Sequence, residues 1–282
     1  MKKMFTIVLA ALMVAALFAG CGSSTAETKA PETTAAPAAT AAAETATPAE
    51  TEAAAPAFTT IEAGKLIMST NAAFPPYEMV ADDGSFEGID VEIAGAIAKK
   101  LGLELVVDDM DFDAALLAVQ QGKSDIVMAG VTVNEDRKLV MNFSDTYSKG
   151  VQVVIVKEGS DVTLDNLGDQ MIGTQRGTTG YIYTSGDYGD DHVTAYDNGA
   201  SAVQALMNGQ VDCVVIDSAP AQAFVENNPG LTILDTEYTS EDYAIGMSKD
   251  NTALLEAVNG ALKELTEDGT IPAIVEKYIP TK

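Results

Sequence analysis

"LAVQQGKSDIVMAG" (residues 117–130) and "QALMNGQVDCVVID" (residues 204–217) follow one plan: a helical segment, a glycine, two residues, an aspartate, then an apolar run too short for a helix. A glycine just past a helix supplies the left-handed residue that ends it, and a short apolar run after a polar turn forms a buried strand. "LIMST" (66–70), "LELVVD" (103–108), "VQVVIVK" (151–157) and "LTILD" (231–235) are further strands, beside "SDIVMAG" (124–130) and "VDCVVID" (211–217). Ile93, Ile97 and Leu101 recur four residues apart, with Ala94 and Ala98 on the same face, so Val91 to Leu101 forms a helix. Helices are also expected over Phe112 to Gln121, Ser201 to Asn208 and Ala253 to Glu267, with Gly122, Gly209 and Gly269 near their ends. Strand and helix in alternation define an α/β chain with largely parallel sheets.

The two copies end differently. The first strand ends at Ala129-Gly130 and leads into "AGVTVNEDRK" (129–138), with Thr132 and Arg137; the second ends at Asp217. Open α/β sheets bind ligands beyond the carboxyl ends of their strands, so the two units are expected to offer opposite charges to one crevice. An arginine fork matches both oxygens of a carboxylate and stays charged away from water. An aspartate accepts from an ammonium group, here with help from the Ala129 or Gly130 carbonyl and the Thr132 hydroxyl. The pair suits the two ends of a zwitterion. Plainer readings stay open at this point: Arg137 as a solvated partner of Glu135 or Asp136, and Asp217 as the N-cap of a helix over "SAPAQAF".

"STNAAFPPYEM" (69–79) places Asn71, Phe74 and Tyr77 in the loop after the first strand, and Phe112 opens the next helix. Such rings either cover the core or clamp an aliphatic ligand chain in a cleft. "GTQRGTTG" (173–180) sets Thr178 and Thr179 before a helix, where backbone N–H groups meet anionic oxygens. It lacks the Gly-Lys-Ser/Thr ending of a P-loop, which argues against phosphate.

At 282 residues and 47 % hydrophobic content the chain can build two domains, while a net charge of −26 with no basic cluster after residue 3 excludes nucleic acid as a partner. An enzyme is not expected. The one histidine, His192, lies in the surface-like "GDYGDDHVTAY", and no nucleophile elbow, Cys/His metal cluster or dinucleotide glycine motif is present. "DMDFDA" (109–114) starts like a calcium loop but has Ala114 and Gln120 where that loop needs Gly and Glu. No metal or cofactor is expected.

"MKKMFTIVLAALMVAALFAGC" has two lysines, a short apolar run and small residues before Cys21, the pattern of a secretory signal. "LFAGC" resembles a bacterial lipobox, with Phe18 a departure from its usual aliphatic residue. On that reading residues 1–20 are removed and Cys21 carries lipid. Residues 21–57, almost wholly Ala, Thr, Pro, Glu and Ser, cannot bury enough apolar surface to offset ordering entropy and are expected to form a disordered tether. Cys213 is then unpaired, a small hydrophobe in a strand.

"GIDVEIAGAIAKKL" (88–101), "FPPYEM", "MDFDAAL", "AGVTVNEDRK", "FSDTYSKG" and "ALKELTEDGTIPAIVEKY" resemble, in order and separation, the bacterial extracellular solute-binding protein family 3. These are receptors that feed polar amino acids to ATP-binding cassette importers. The resemblance runs from Ile67 to Tyr278. It implies a type II periplasmic-binding-protein-like α/β fold, a two-lobed "Venus flytrap" with two hinge crossings. Lobe 1 would hold residues 58–146 plus 244–282 and lobe 2 residues 150–240, with crossings near 146–150 and 239–244. Arg137 and the Thr178 and Thr179 amides would take the α-carboxylate; Asp217, Thr132 and the Gly130 carbonyl would take the α-amino group. Phe74 and Phe112 would flank the side chain, with Tyr77 nearby and Asn71 and Gln175 at its tip. A neutral residue at Asn71 points to a neutral polar amino acid, subject to Glu78, Asp111 and Asp113. The implied protein is a monomeric lipoprotein, anchored on the outer face of the cytoplasmic membrane, that delivers the amino acid to a permease. A dehydratase acting on cyclic carboxylic acids and a sensor working through a partner receptor are the alternatives on the same fold.

Overall fold

The computed structural model describes residues 58–235 and 237–280. The expected signal segment, Cys21 and the tether lie outside the described residues.

From the amino end the elements are β1 (Lys65–Thr70), the small strands β2 (Ala73–Phe74), β3 (Glu78–Val80) and β4 (Phe86–Glu87), α1 (Ile89–Lys100), β5 (Glu104–Asp109), α2 (Phe112–Gln120), β6 (Ile126–Val127) and α3 (Glu135–Val140). A long strand, β7 (Met141–Lys157), leads to β8 (Ile172–Gln175), α4 (Thr179–Tyr188), β9 (Val193–Tyr196), α5 (Gly199–Met207), β10 (Cys213–Asp217), α6 (Ser218–Asn227) and β11 (Leu231–Ile233). A second long strand, β12 (Thr239–Ser248), returns to α7 (Thr252–Glu267) and α8 (Thr270–Tyr278).

The nine-stranded sheet runs β5-β1-β6-β12-β7-β10-β8-β9, with β11 on β7. Its flanks are parallel, β5-β1-β6 on one side and β10-β8-β9 on the other. Between them β7 and β12 pair antiparallel over most of their length, with two register shifts. The expectation of largely parallel sheets therefore holds for each flank and is corrected at the centre. There the chain passes from one half to the other and back, and two strands that run opposite ways can pair only antiparallel.

One apolar cluster runs through both halves, with Val153, Leu206 and Val214 on the second side. On the first side Ile93, Ile97 and Ala94 of α1 pack with Leu66 and Met68 of β1, and Leu254, Val258 and Leu262 of α7 join them. On the second side Val154, Ile172, Cys213 and Val215 form a separate cluster closed by Val162 and Leu167. Cys213 is fully buried and free, and burial pushes its thiol up to about 12, so it behaves as an apolar residue. Among the described residues no helix is long and apolar enough to cross a membrane.

Candidate functional site

The carboxyl ends of β1, β6, β8 and β10 converge on one crevice. Ten of the eleven residues singled out from sequence line it: Asn71, Phe74, Phe112, Gly130, Thr132, Arg137, Gln175, Thr178, Thr179 and Asp217; Ala129 and Glu78 complete the wall. The cavity they enclose measures about 10 Å³, roughly the space of one water molecule. Admitting a ligand of amino-acid size therefore requires the walls to part.

Local chemistry aims Arg137. Asn134 caps α3 by accepting the Arg137 backbone N–H at 2.8 Å, which turns the guanidinium back under the loop. One end of the fork donates to the Thr132 carbonyl at 2.8 Å and the other to the Gly177 carbonyl at 3.1 Å. Its central carbon lies 5.4 Å from the Phe112 ring centre, a cation–π distance. Arg137 is only 7 % exposed, and among the described residues no carboxylate lies within ion-pair reach of it, so the solvated pair with Glu135 or Asp136 is not formed. A buried cation without a counter-ion is costly unless an anion arrives.

Asp217 presents the opposite case. It ends β10 at the cap position of α6, yet its side chain makes no capping bond. It is 7 % exposed and accepts instead from the Gln152 amide at 2.7 Å and from the Tyr243 hydroxyl. Gly150 makes this possible, because a β-carbon there would stand 2.6 Å from both the Asp217 carboxyl and the Tyr243 ring. No lysine or arginine of the described residues pairs with Asp217. Burial, then the negative charge of Glu241, pushes it up to about 7.

The remaining residues set the rim. Gln175 donates to the Asn71 carbonyl oxygen at 2.9 Å, tying the two halves together, while the Asn71 amide donates to the Met110 carbonyl at 2.9 Å. Thr178 caps α4, and its hydroxyl donates to the Gln175 carbonyl at 2.7 Å. The first amides of that helix have no intrahelical acceptor. Gly130 has φ +55°, and a β-carbon there would meet the Phe74 ring at 2.8 Å, so only glycine lets Phe74 close over this turn.

Tyr77 is not brought to the wall. It is 2 % exposed, with its ring edge-on to Tyr243 at 5.2 Å and its hydroxyl 3.2 Å from that of Ser148. It supports Phe74, stacked on it at 5.9 Å, from behind. His192 lies away from the crevice, its ring nitrogen 3.3 Å from the Gln170 carbonyl.

Sequence reasoning missed Gln152, Glu241 and Tyr243. All three sit on the long central strands, and alternation along "TSEDYAIGMS" puts Glu241 and Tyr243 on one face once that segment is taken as a strand. Glu78, expected only to modify ligand preference, is fully buried in the wall, with no hydrogen-bond donor to either oxygen among the described residues. It faces Asp90 of α1, which accepts the Gly130 N–H at 2.9 Å. Burial and then the Asp90 charge hold Glu78 well above the usual carboxylate range, and burial raises Asp90 to about 6.

Glu78, Asp90 and Asp217 all act in one direction. The folded, ligand-free protein keeps protons that the unfolded chain has already released, so the stability they contribute is complete below the ordinary carboxylate range and is lost as pH rises through about 6 to 7 and beyond. A tenfold tighter hold on one proton corresponds to about 1.4 kcal/mol, and each kcal/mol to about 2–4 °C in a domain of this size. The melting temperature of the ligand-free protein is therefore expected to fall by roughly 5 °C or more from pH 5 to pH 8. Calorimetry showing a flat or rising profile would contradict these assignments.

Two α/β halves on one sheet, spanned by two long strands and holding a polar crevice at the strand ends, define the type II periplasmic-binding class. The chain belongs to the bacterial extracellular solute-binding proteins, family 3, whose model matches residues 66–281. It is 34 % identical to a probable histidine-binding protein of Neisseria gonorrhoeae, over 80 % of this chain and 87 % of that protein. An ancestral arginine-binding protein solved with arginine superposes with a TM-score of 0.72 at 41 % identity, over 77 % of this chain and 98 % of that one. The arginine-, lysine-, histidine-binding protein ArtJ of Geobacillus stearothermophilus does so at 0.74 and 31 %, over 77 % of this chain and 96 % of that one.

Proposed function

We propose that this protein captures a free amino acid outside the cytoplasm by closing two lobes around it, then presents it to the permease of an ATP-binding cassette importer. The observation that carries the reading is that a buried guanidinium and a buried carboxyl group line one crevice and, among the described residues, neither is in an ion pair. A zwitterion supplies both. Arg137 and the first amides of α4 take its carboxylate; Asp217, Thr132 and the Gly130 carbonyl take its ammonium group; Phe74 and Phe112 flank its side chain. Relatives named for binding amino acids support capture rather than dehydratase chemistry.

Lobe 1 is residues 58–146 plus 244–282 and lobe 2 is residues 150–240, with the crossings on β7 and β12. Arg137 to Gly177, Gln175 to Asn71 and Thr132 to Thr179 are the contacts that form on closure. Each charge-assisted bond contributes about 1.5–3 kcal/mol, and the full set exists only in the closed form, so ligand shifts the open-closed equilibrium. A lipid on Cys21 holds the monomer at the outer face of the cytoplasmic membrane.

The ligand we favour is basic, of the arginine class, which revises the neutral polar expectation. Asn71 spends its amide on Met110 and its oxygen on Gln175, so its neutrality says little about the ligand. Glu78 instead places in the wall a buried acid, hydrogen-bonded to Asp90, whose proton a cationic ligand end would displace, and arginine is the ligand named for several relatives. A thermal-shift screen of the twenty amino acids at pH 8 tests the reading, because a ligand of the folded state raises the melting point by mass action. Arginine is expected to give the largest shift, lysine and histidine following. No shift with any amino acid would refute capture, and a shift confined to neutral ones would refute the basic assignment.

A further inference from the structure

Glu241 has no role in the reading above, yet it is the acid next to the amino-end subsite. It is 6 % exposed, on β12 where the chain recrosses between the halves. One of its oxygens accepts from the Thr132 hydroxyl at 3.1 Å and from the Gln152 amide nitrogen at 2.9 Å. The same nitrogen donates to Asp217 at 2.7 Å. A single amide thus spans two carboxyl groups, and the second oxygen of Glu241 is buried with no donor among the described residues.

We infer that Glu241 is a positioning residue of this subsite: it holds the Thr132 hydroxyl in place and keeps a proton on Asp217 in the empty site, which the arriving α-ammonium displaces to solvent. The inference rests on the proposed capture of an amino acid.

The Gln152 and Tyr243 donors favour the charged form of Asp217, and burial with Glu241 outweighs them. Two like charges joined through one nitrogen in a water-poor pocket repel, and the neutral amide relays no compensating charge. The other titratable groups facing the pair are Tyr243 of β12, Tyr77 behind Phe74, Glu78 of β3, Tyr183 of α4 and Arg137 of α3. Arg137 is the one cation among them, and its fork is committed to two backbone carbonyls. Burial first and Glu241 second lift Asp217 to about 7, so its proton is present at pH 6 and largely gone at pH 8. When the ammonium group docks, the O–H bond of Asp217 breaks, the proton passes to the buffer base, and the carboxylate accepts from the ligand nitrogen. Affinity is then complete above about pH 7 and lost as pH falls, close to tenfold per pH unit below the transition.

The test titrates the full chain with L-arginine in two buffers of different ionisation enthalpy, for wild type, Glu241→Gln and Glu241→Asp. At pH 6 the wild type is expected to release measurably more protons per ligand than E241Q, in which burial alone still holds part of the proton on Asp217, and E241D is expected to restore the wild-type release. Wild-type release is expected to drop by close to one proton from pH 6 to pH 8, and Glu241→Leu, which also removes the charge, supplies the comparison with the wild type where E241Q does not fold. Equal proton counts in wild type and E241Q, a wild-type count that does not drop, or weaker binding in E241Q with an unchanged pH profile would each overturn the inference. Wild-type protein that binds no amino acid would overturn the capture reading itself, a separate outcome visible as the absence of any saturable heat.

Discussion

Arg137→Ala is expected to leave a folded protein whose affinity for its amino acid is at least a hundredfold weaker. The guanidinium is nearly enclosed and makes two bonds to backbone carbonyls, neither of them to a charge. Its removal leaves a ligand carboxylate desolvated and opposed only by neutral amides. Truncating one member of a buried charge pair costs about 2–5 kcal/mol or more, which spans the hundredfold mark. The bond to Gly177 also joins the two halves, so the variant should rest further open, visible as a larger radius of gyration in solution scattering. Stability should change little, because losing two hydrogen bonds is offset by no longer burying a lone cation. A near-wild-type titration by calorimetry would refute the carboxylate role.

Asp217→Asn should separate binding from stability. The substitution keeps shape, since the Asn oxygen can accept from Gln152 while its amide nitrogen donates to the Tyr243 hydroxyl, but the charge that meets the ammonium group is gone. Binding should weaken by about a hundredfold on the same truncation argument. Stability at pH 8 should rise, since an acid lifted to about 7 by burial destabilises the ligand-free fold whenever it is ionised. A gain of several degrees in melting temperature beside a loss of affinity is the signature of a group retained for function at the expense of stability. A variant that binds as the wild type does would remove Asp217 from the site, and one that melts lower at pH 8 would remove the charge argument.

Helices are the most legible part of the chain. The helix expected over Val91 to Leu101 is Ile89–Lys100, and that expected over Ala253 to Glu267 is Thr252–Glu267. Their period is written in the side chains themselves, as Ile93 and Ile97 show. Strands are legible where apolar runs face a core, as at Lys65–Thr70 and Glu104–Asp109. They are not legible where pairing alone makes the strand. "MNFSDTYSKG" is mostly polar, yet it is the first part of β7 because β12 lies alongside to accept its hydrogen bonds. "SDIVMAG" misleads the other way: only Ile126–Val127 pairs, because Gly130 turns the chain toward the crevice.

Ends of recognised strands carry most of the crevice, which is why Asn71, Phe112, Arg137 and Asp217 are accessible from spacing and chemistry. Groups contributed by the central strands are hidden for the reason those strands are hidden. Glu241 stands in a segment that reads as a connection, where an acid is ordinarily solvated, and only the pairing of β12 with β7 turns it inward. Tyr77 misleads in the opposite sense. It follows the same loop as Phe74, but its ring lies behind that of Phe74 and not beside it, packed on Tyr243. Asn71 carries a further lesson, since its identity suggests a ligand class while its hydrogen bonds assign it to holding the halves together.

A crystal structure of the protein with arginine is the most direct measurement. The ligand carboxylate should lie within hydrogen-bond distance of the Arg137 guanidinium, and its α-nitrogen within the same distance of Asp217. A complex in which either contact is missing, with Arg137 or Asp217 still bonded only to protein groups while ligand occupies the crevice, would contradict the charge pairing on which capture depends.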